Sequence, residues 1–444
     1  MIIQFNFTNF KSFKDRTTLN MVASNYDKDT NELNNITYLK KQDIRLLKSS
    51  VIFGANASGK SKFIEAFAFF RSFILESSRE TLKGQKIKVE PFRLSEETNR
   101  KASEFEMVFQ LNNSIYRYGF EANSEKIIAE WLYVREVKKE IELFYRSLPD
   151  IDYDQRRLSK VGVLLAEGLV RSNSLLLSVL AQFNDSTANT ILDYFRSMNS
   201  ISGLNESEYK NNSIIKVQEG KEKKQQILEL IKSADLGIED LRFEDLFSKF
   251  NFSGDELEGM SAAVETLQKY DPYALTSIQT KHRVFNKENK ATGSVEFMMS
   301  TDESHGTQKF FHFTGLLLDA LENGTILIVD ELDSKLHPNL VCKIVSLFNS
   351  ELTNPNSAQL IFNTHDTNLL SSGVFRRDQI WFVSKNEYGA SKLYSLADFK
   401  TDQVRKNEAF EENYIRGKYG AVPLLTDFDQ FVDQILSSKN GKTQ

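Results

Sequence analysis

The sequence predicts an α/β fold: a mostly parallel sheet covered by helices, joined to an antiparallel β lobe and a helical insertion. Three observations carry this prediction. A glycine loop, Gly54-Ala55-Asn56-Ala57-Ser58-Gly59-Lys60-Ser61, lies between a short apolar strand and an amphipathic helix. An apolar strand, Thr325 to Val329, runs into two acids, Asp330 and Glu331. Helix and strand patterns alternate through the last third of the chain, as parallel sheets require.

From the start, Ile3, Phe5 and Phe7 alternate with polar residues and are expected to point one way from a strand. Ser49-Ser50-Val51-Ile52-Phe53 reads as a short apolar strand running into the loop. From Lys60 to about Arg79, Phe63, Ala66, Phe67, Phe70, Phe73 and Ile74 recur at helical spacing. Between 87 and 136 the period falls to two, with Phe105, Met107 and Phe109, the turn Asn112-Asn113-Ser114, then Tyr116, Tyr118 and Phe120, which predicts an antiparallel lobe. Residues 155–200 and 212–235 read as helices that interrupt the core, too irregular for a long coiled coil. Strand patterns resume at Ser277–Thr280 and Val295–Met299. After them come a helix at Gln308–Leu321, the Thr325–Val329 strand, a helix at Leu340–Phe348, and strands at Gln359–Asn363 and Gln379–Val383. The expected domains are therefore an N-terminal lobe at 1–136, a mainly helical insertion at 137–275, a C-terminal lobe at 276–436 and a polar tail at 437–444.

Composition narrows the function. The 444 residues are 40% hydrophobic, enough for a full core. The single cysteine, Cys342, gives no disulfide framework and no paired-cysteine metal site, so a cytoplasmic setting is expected. No run of about 18 apolar residues could span a bilayer, and no membrane partner is expected. The net charge of -5 argues against general nucleic-acid coating.

The glycine loop fits the GxxxxGK[ST] pattern. Its backbone amides close around phosphates, the Lys60 ammonium reaches the β- and γ-phosphates, and the Ser61 hydroxyl ligates magnesium. ATP and Mg2+ are the expected cofactors, held by Gly54, Asn56, Ala57, Ser58, Gly59, Lys60, Ser61 and Lys62. Asp330 at the strand end is expected to hold the magnesium shell with Ser61, and Glu331 to polarise the attacking water. After the strand Leu360-Ile361-Phe362 comes Asn363-Thr364-His365-Asp366. A strand C-terminus in an open parallel sheet faces the ligand crevice, which makes His365 a γ-phosphate contact.

These motifs, in this order, resemble the phosphate loop, Walker B, D-loop (Asp330-Glu331-Leu332-Asp333-Ser334) and switch histidine of ABC-type P-loop NTPase heads, the group that includes SMC and RecF proteins. Asn9-Phe10-Lys11-Ser12-Phe13 resembles the opening of such heads, where a short basic loop folds over the nucleotide; this implies a Lys11 contact. Phe53 with Gly54–Ser61, Asp330 to Pro338 and Arg416-Gly417-Lys418-Tyr419-Gly420-Ala421-Val422-Pro423 are similar to the RloA and AbiLi-like ATPases, including the AriA-like ATPases of PARIS, from bacterial anti-phage and abortive-infection systems.

The resemblance implies an ATPase head that dimerises on ATP. Ser304, Gly306 and Thr307, in Glu303-Ser304-His305-Gly306-Thr307-Gln308, stand where an ABC signature would reach the γ-phosphate of a second subunit. His305 departs from that signature, which has glycine there. The plainer reading is an N-cap at Ser304. The expected role is a slow, regulatory ATPase, sensor or scaffold of a defence system, controlling a separate effector such as a TOPRIM-like or other nuclease, with a phage protein or nucleic acid as trigger and oligomers beyond the dimer possible. The alternative is a DNA-repair ATPase of RecF or SMC type that binds DNA under ATP control. Lys221, Lys223 and Lys224 read as solvated helix surface, Asp427 to Asp429 as a helix start, and Arg171 and Asn173 have no role from sequence.

Overall fold

The computed structural model describes residues 1–25, 31–79, 84–234, 237–245, 264–269, 271–400 and 408–423. Asp427 to Asp429 and the tail at 437–444 lie outside the described residues.

A seven-stranded antiparallel sheet has the order β10-β9-β8-β7-β6-β1-β2. Its strands are β1 (Ile2–Thr8), β2 (Thr17–Asn20), β6 (Ser103–Leu111), β7 (Ser114–Ala122), β8 (Ile127–Arg135), β9 (Glu140–Ser147) and β10 (Asp150–Tyr153). A six-stranded sheet has the order β11-β15-β16-β5-β17-β18, from β11 (Asn199–Ser202), β15 (Ile326–Asp330), β16 (Gln359–Asn363), β5 (Ser49–Phe53), β17 (Ile380–Lys385) and β18 (Ser391–Ser395). All its pairings are parallel except β17 with β18. Smaller sheets pair β3 (Ile36–Leu39) with β4 (Ile44–Leu47), and β12 (Asp240–Asp245), β13 (Thr276–Phe285) and β14 (Ala291–Met298).

The helix Lys60–Glu76 lies between the two large sheets, because its phenylalanines face both. Phe67 stacks on Phe5 at 3.8 Å between ring centroids and Phe70 on Phe120 at 5.6 Å, and the same core takes in Ile326, Ile328 and Ile361 of the parallel sheet. Leu327, Val329 and Phe362 turn to the other face, against the helices His305–Asn323 and Pro338–Phe348. Parallel strands covered on both faces need the near-continuous apolar runs seen at β5, β15 and β16. This is a mixed α/β architecture, a mostly parallel sheet covered by helices beside a large antiparallel sheet.

Three expectations are corrected. Ile3 does not share a face with Phe5 and Phe7: a register shift between Ile2 and Gln4 puts Ile2 in the main core and Ile3 in a small cluster with Leu46 and Ile115. The lobe does not end at 136. The charged stretch there is only the turn between β8 and β9, and a register shift at Leu132/Tyr133 blurs the period-two pattern that follows. The segment at 137–275, expected to be mainly helical, is mixed. It holds β9, β10 and β12, and β11 joins the parallel sheet beside β15. Four residues as polar as Asn199-Ser200-Ile201-Ser202 carry no strand signal of their own.

Candidate functional site

The loop after β5 opens a cleft of about 680 Å3, walled by Asn56, Ala57, Ser58, Gly59, Lys60, Ser61 and Lys62 together with Lys11, Ser12, Glu331 and His365. Its shape depends on backbone that side chains would obstruct. Gly59 caps the following helix at φ 118°, and a Cβ there would sit 2.5 Å from the Ser391 Oγ and 2.8 Å from the Ser12 Oγ. Ala57 is also left-handed, at φ 60°. The Ser391 hydroxyl donates to the Ser58 carbonyl at 2.5 Å and its oxygen accepts from the Ser12 hydroxyl at 2.9 Å, so the Asn9–Phe13 loop and the β17–β18 hairpin are clipped onto the phosphate loop.

Two groups in the cleft have the chemistry to bind phosphate. The Ser58 hydroxyl is buried with no hydrogen-bond partner among the described residues. The Lys60 ammonium folds back onto the loop carbonyls of Gly54 (2.7 Å) and Ala55 (3.2 Å). Burial pushes Lys60 down to about 8, against the pull of Glu331, Asp333 and Asp330. A triphosphate would satisfy both groups.

The acids and the histidine meet this loop from neighbouring strand ends. The Glu331 carboxylate lies 3.9 Å from His365 Nε2, and the His365 amide donates to Asp333 Oδ2 at 3.2 Å. Glu331 itself is left-handed, at φ 56°, and its amide donates to Asn363 Oδ1 at 2.5 Å. The other arm of the same buried side chain, Asn363 Nδ2, donates to Asp330 Oδ1 at 2.5 Å. Asn363 thus fixes both acids from β16. Ser61 Oγ lines the cleft and the Asp330 carboxylate closes β15; both are hard oxygen donors, the chemistry that a small hard cation such as magnesium takes.

Not every expected residue lies on the wall. Gly54 is beneath it, where a Cβ would sit 2.5 Å from the Val383 carbonyl. Asp330 is also off the wall, although its charge acts on Lys60. Lys11 and Lys62 line the cleft with their ammoniums both on Glu65, at 2.6 Å for Lys62. Ser304, Gly306 and Thr307 line a different cavity of about 720 Å3, with Lys335, His337 and Lys343. There the N-cap is formed, the Thr307 amide donating to Ser304 Oγ at 3.1 Å.

Sequence reading missed several contributors. Ser12 and Ser391 meet across 379 residues of sequence. Gly203 packs against the acid turn, its amide donating to the Asp330 carbonyl at 2.6 Å. Lys309 is fully buried under that turn, and its signal was available: it precedes the buried Phe313 by one helical turn and Leu316 by two, on the apolar face. Arg171 and Asn173 now have a role, donating to the carbonyls of Ser78 (2.9 Å) and Gln85 (3.0 Å). Lys223 pairs with Glu322 and Lys224 with Asp240, at 3.1 Å for the latter.

A family profile described as "AAA domain, putative AbiEii toxin, Type IV TA system" matches residues 49–371. Two solved structures are among those that match the chain. The SMC head domain from Thermotoga maritima is 13% identical with a TM-score of 0.40, over 89% of this chain and 98% of that one. The cbiO1 protein from Clostridium perfringens, part of the ABC transporter complex cbiONQ, is 10% identical with a TM-score of 0.31, over 95% and 97%. No curated protein matches the chain.

Proposed function

The chain belongs to the AAA domain family described as putative AbiEii toxin of a type IV toxin–antitoxin system, and from that premise we propose a regulatory ATPase whose nucleotide site is completed by a second copy. One observation carries this reading. The phosphate loop, Glu331 and His365 share one cleft, while Ser304, Gly306 and Thr307, which present a capped helix N-terminus, line another. A helix N-terminus favours an anion, and a twofold pairing of chains lets each supply the cap to the other's cleft.

In this reading Lys60 leaves the Gly54 and Ala55 carbonyls for the β- and γ-phosphates, and the loop amides and the Ser58 hydroxyl close around them. Glu331, aimed by Asn363, takes the proton of the attacking water as its oxygen bonds the γ-phosphorus and the bond to the β-phosphate oxygen breaks, releasing ADP and phosphate. His365 meets the γ-phosphate from beside Glu331. Bound magnesium, held by Ser61 and Asp330, would neutralise charge between the β- and γ-phosphates.

We assign the switch to defence: a sensor or scaffold that holds or releases a separate effector, a nuclease by preference. The family description supports that setting. If the purified protein alone cut nucleic acid, and Lys60→Ala left the cutting intact, this division of labour would be wrong.

The composite site is tested with Glu331→Gln. With the base gone and the phosphate contacts kept, ATP should accumulate a dimer, measured by light scattering after size exclusion. Equal dimer fractions for variant and wild type in ATP would sink the composite-site reading.

A further inference from the structure

The turn that follows β15 is held from below by a lysine. Glu331 and Lys335 are both left-handed, at φ 56° and 61°, and between them several backbone carbonyls converge on one side. The Lys309 ammonium sits among them. It donates to the Ser334 carbonyl (2.6 Å), Ser334 Oγ (2.7 Å) and the Leu332 carbonyl (3.2 Å), and lies 3.5 Å from the Glu331 carbonyl. Its side chain is fully buried, and burial pushes it down to about 8, opposed chiefly by Asp333. Without that lysine the carbonyls it serves would be left buried with no donor, at the cost of an unsatisfied polar group each.

The contacts continue outward. Ser334 Oγ, which accepts from Lys309, donates to the Gly203 carbonyl at 2.9 Å, and the Gly203 amide returns to the Asp330 carbonyl. Lys309 itself lies on the helix His305–Asn323, two residues beyond Thr307.

We infer that Lys309 is a positioning residue for Glu331: its ammonium supplies the donors that hold the acid turn in its left-handed shape and fasten it to the helix begun by Ser304. Lys309 touches no reacting atom, so its loss should change how the water is activated and leave nucleotide binding in place. This rests on the ATPase reading for its rate consequence, but not for its structural one.

The test therefore has two readouts on the full chain. In Lys309→Met, kcat for ATP should fall about 100-fold, as for a catalytic group displaced by about an ångström, with KM within about threefold. Lys309→Arg should recover part of the rate. Amide hydrogen exchange should rise over residues 330–336 and stay as in wild type over 54–61. Should Lys309→Met not fold, Ser334→Ala removes one acceptor and the Gly203 link, and should lower kcat about tenfold at unchanged KM. Unchanged exchange at 330–336, or exchange rising equally at both segments, overturns the inference. If wild type hydrolyses no ATP, the functional reading fails and exchange alone decides for Lys309.

Discussion

Lys60 carries the electrostatic demand of the site. Its pKa near 8, below the ordinary 10.5, comes from lost water, so raising pH through 8 discharges the ammonium before nucleotide arrives. The charged form is the one phosphates attract, and affinity should weaken on the alkaline side: about tenfold from pH 7 to pH 9, one unit above the pKa. Titration of a fluorescent ATP analogue across that range reads this out, and flat affinity would mean that the amine stays charged. His365 makes a different prediction. Its imidazole lies 3.9 Å from Glu331, so His365→Ala should lower kcat between about tenfold and 100-fold with little effect on affinity; an unchanged rate would remove it from the site. Both residues were visible in sequence because each belongs to a local pattern, a loop before a helix or a polar turn after an apolar strand. Asn363 stood in the same motif, yet its work was hidden. It holds Asp330 and Glu331 only because β16 lies beside β15, and adjacency of strands is not written in either strand.

At the scale of elements, the antiparallel lobe is tied to the helices by one buried carboxylate. Glu130, on β8, accepts from the Leu176 amide (2.6 Å) and the Leu177 amide (3.0 Å) at the start of the helix Leu176–Gln182, from the Tyr118 hydroxyl (3.0 Å), and from Arg146 Nη1 (3.3 Å). Arg146 and Glu130 are both fully buried. Removing one member leaves the other charge uncompensated, and Glu130→Ala should cost about 3–5 kcal/mol of stability in denaturant unfolding. Because none of these residues lines the cleft, the folded fraction should bind ATP as wild type does. A loss below about 1 kcal/mol would show that water takes over the role of Glu130. In sequence Glu130 is one acid in an alternating strand, where a solvated face is the default. The helix Lys60–Glu76 was legible for the opposite reason: its apolar spacing is local and unbroken, and the observed end at Glu76 falls short of the expected Arg79 by less than one turn.

At the scale of the whole molecule, the parallel order of β15, β16, β5 and β17 brings Glu331, His365 and the phosphate loop to one end of one sheet. The same order leaves the Ser304–Thr307 cap in its own cavity. Motif order along the chain made the first grouping legible, while the second depends on where the helix His305–Asn323 packs, which spacing alone cannot give. If the cap serves a second copy, two defects in different chains should compensate. Lys60→Ala spoils its own loop and keeps a sound cap. Ser304→Glu, at an exposed position, keeps an acceptor for the Thr307 amide but sets a negative charge where the γ-phosphate must come. Each variant alone should be nearly inactive as an ATPase. Mixed in equal parts and allowed to exchange, half of the dimers are heterodimers with one sound site of two, so activity should return to about a quarter of wild type. A site built within one chain gives no recovery at any mixing ratio, because every cleft then carries its own defect.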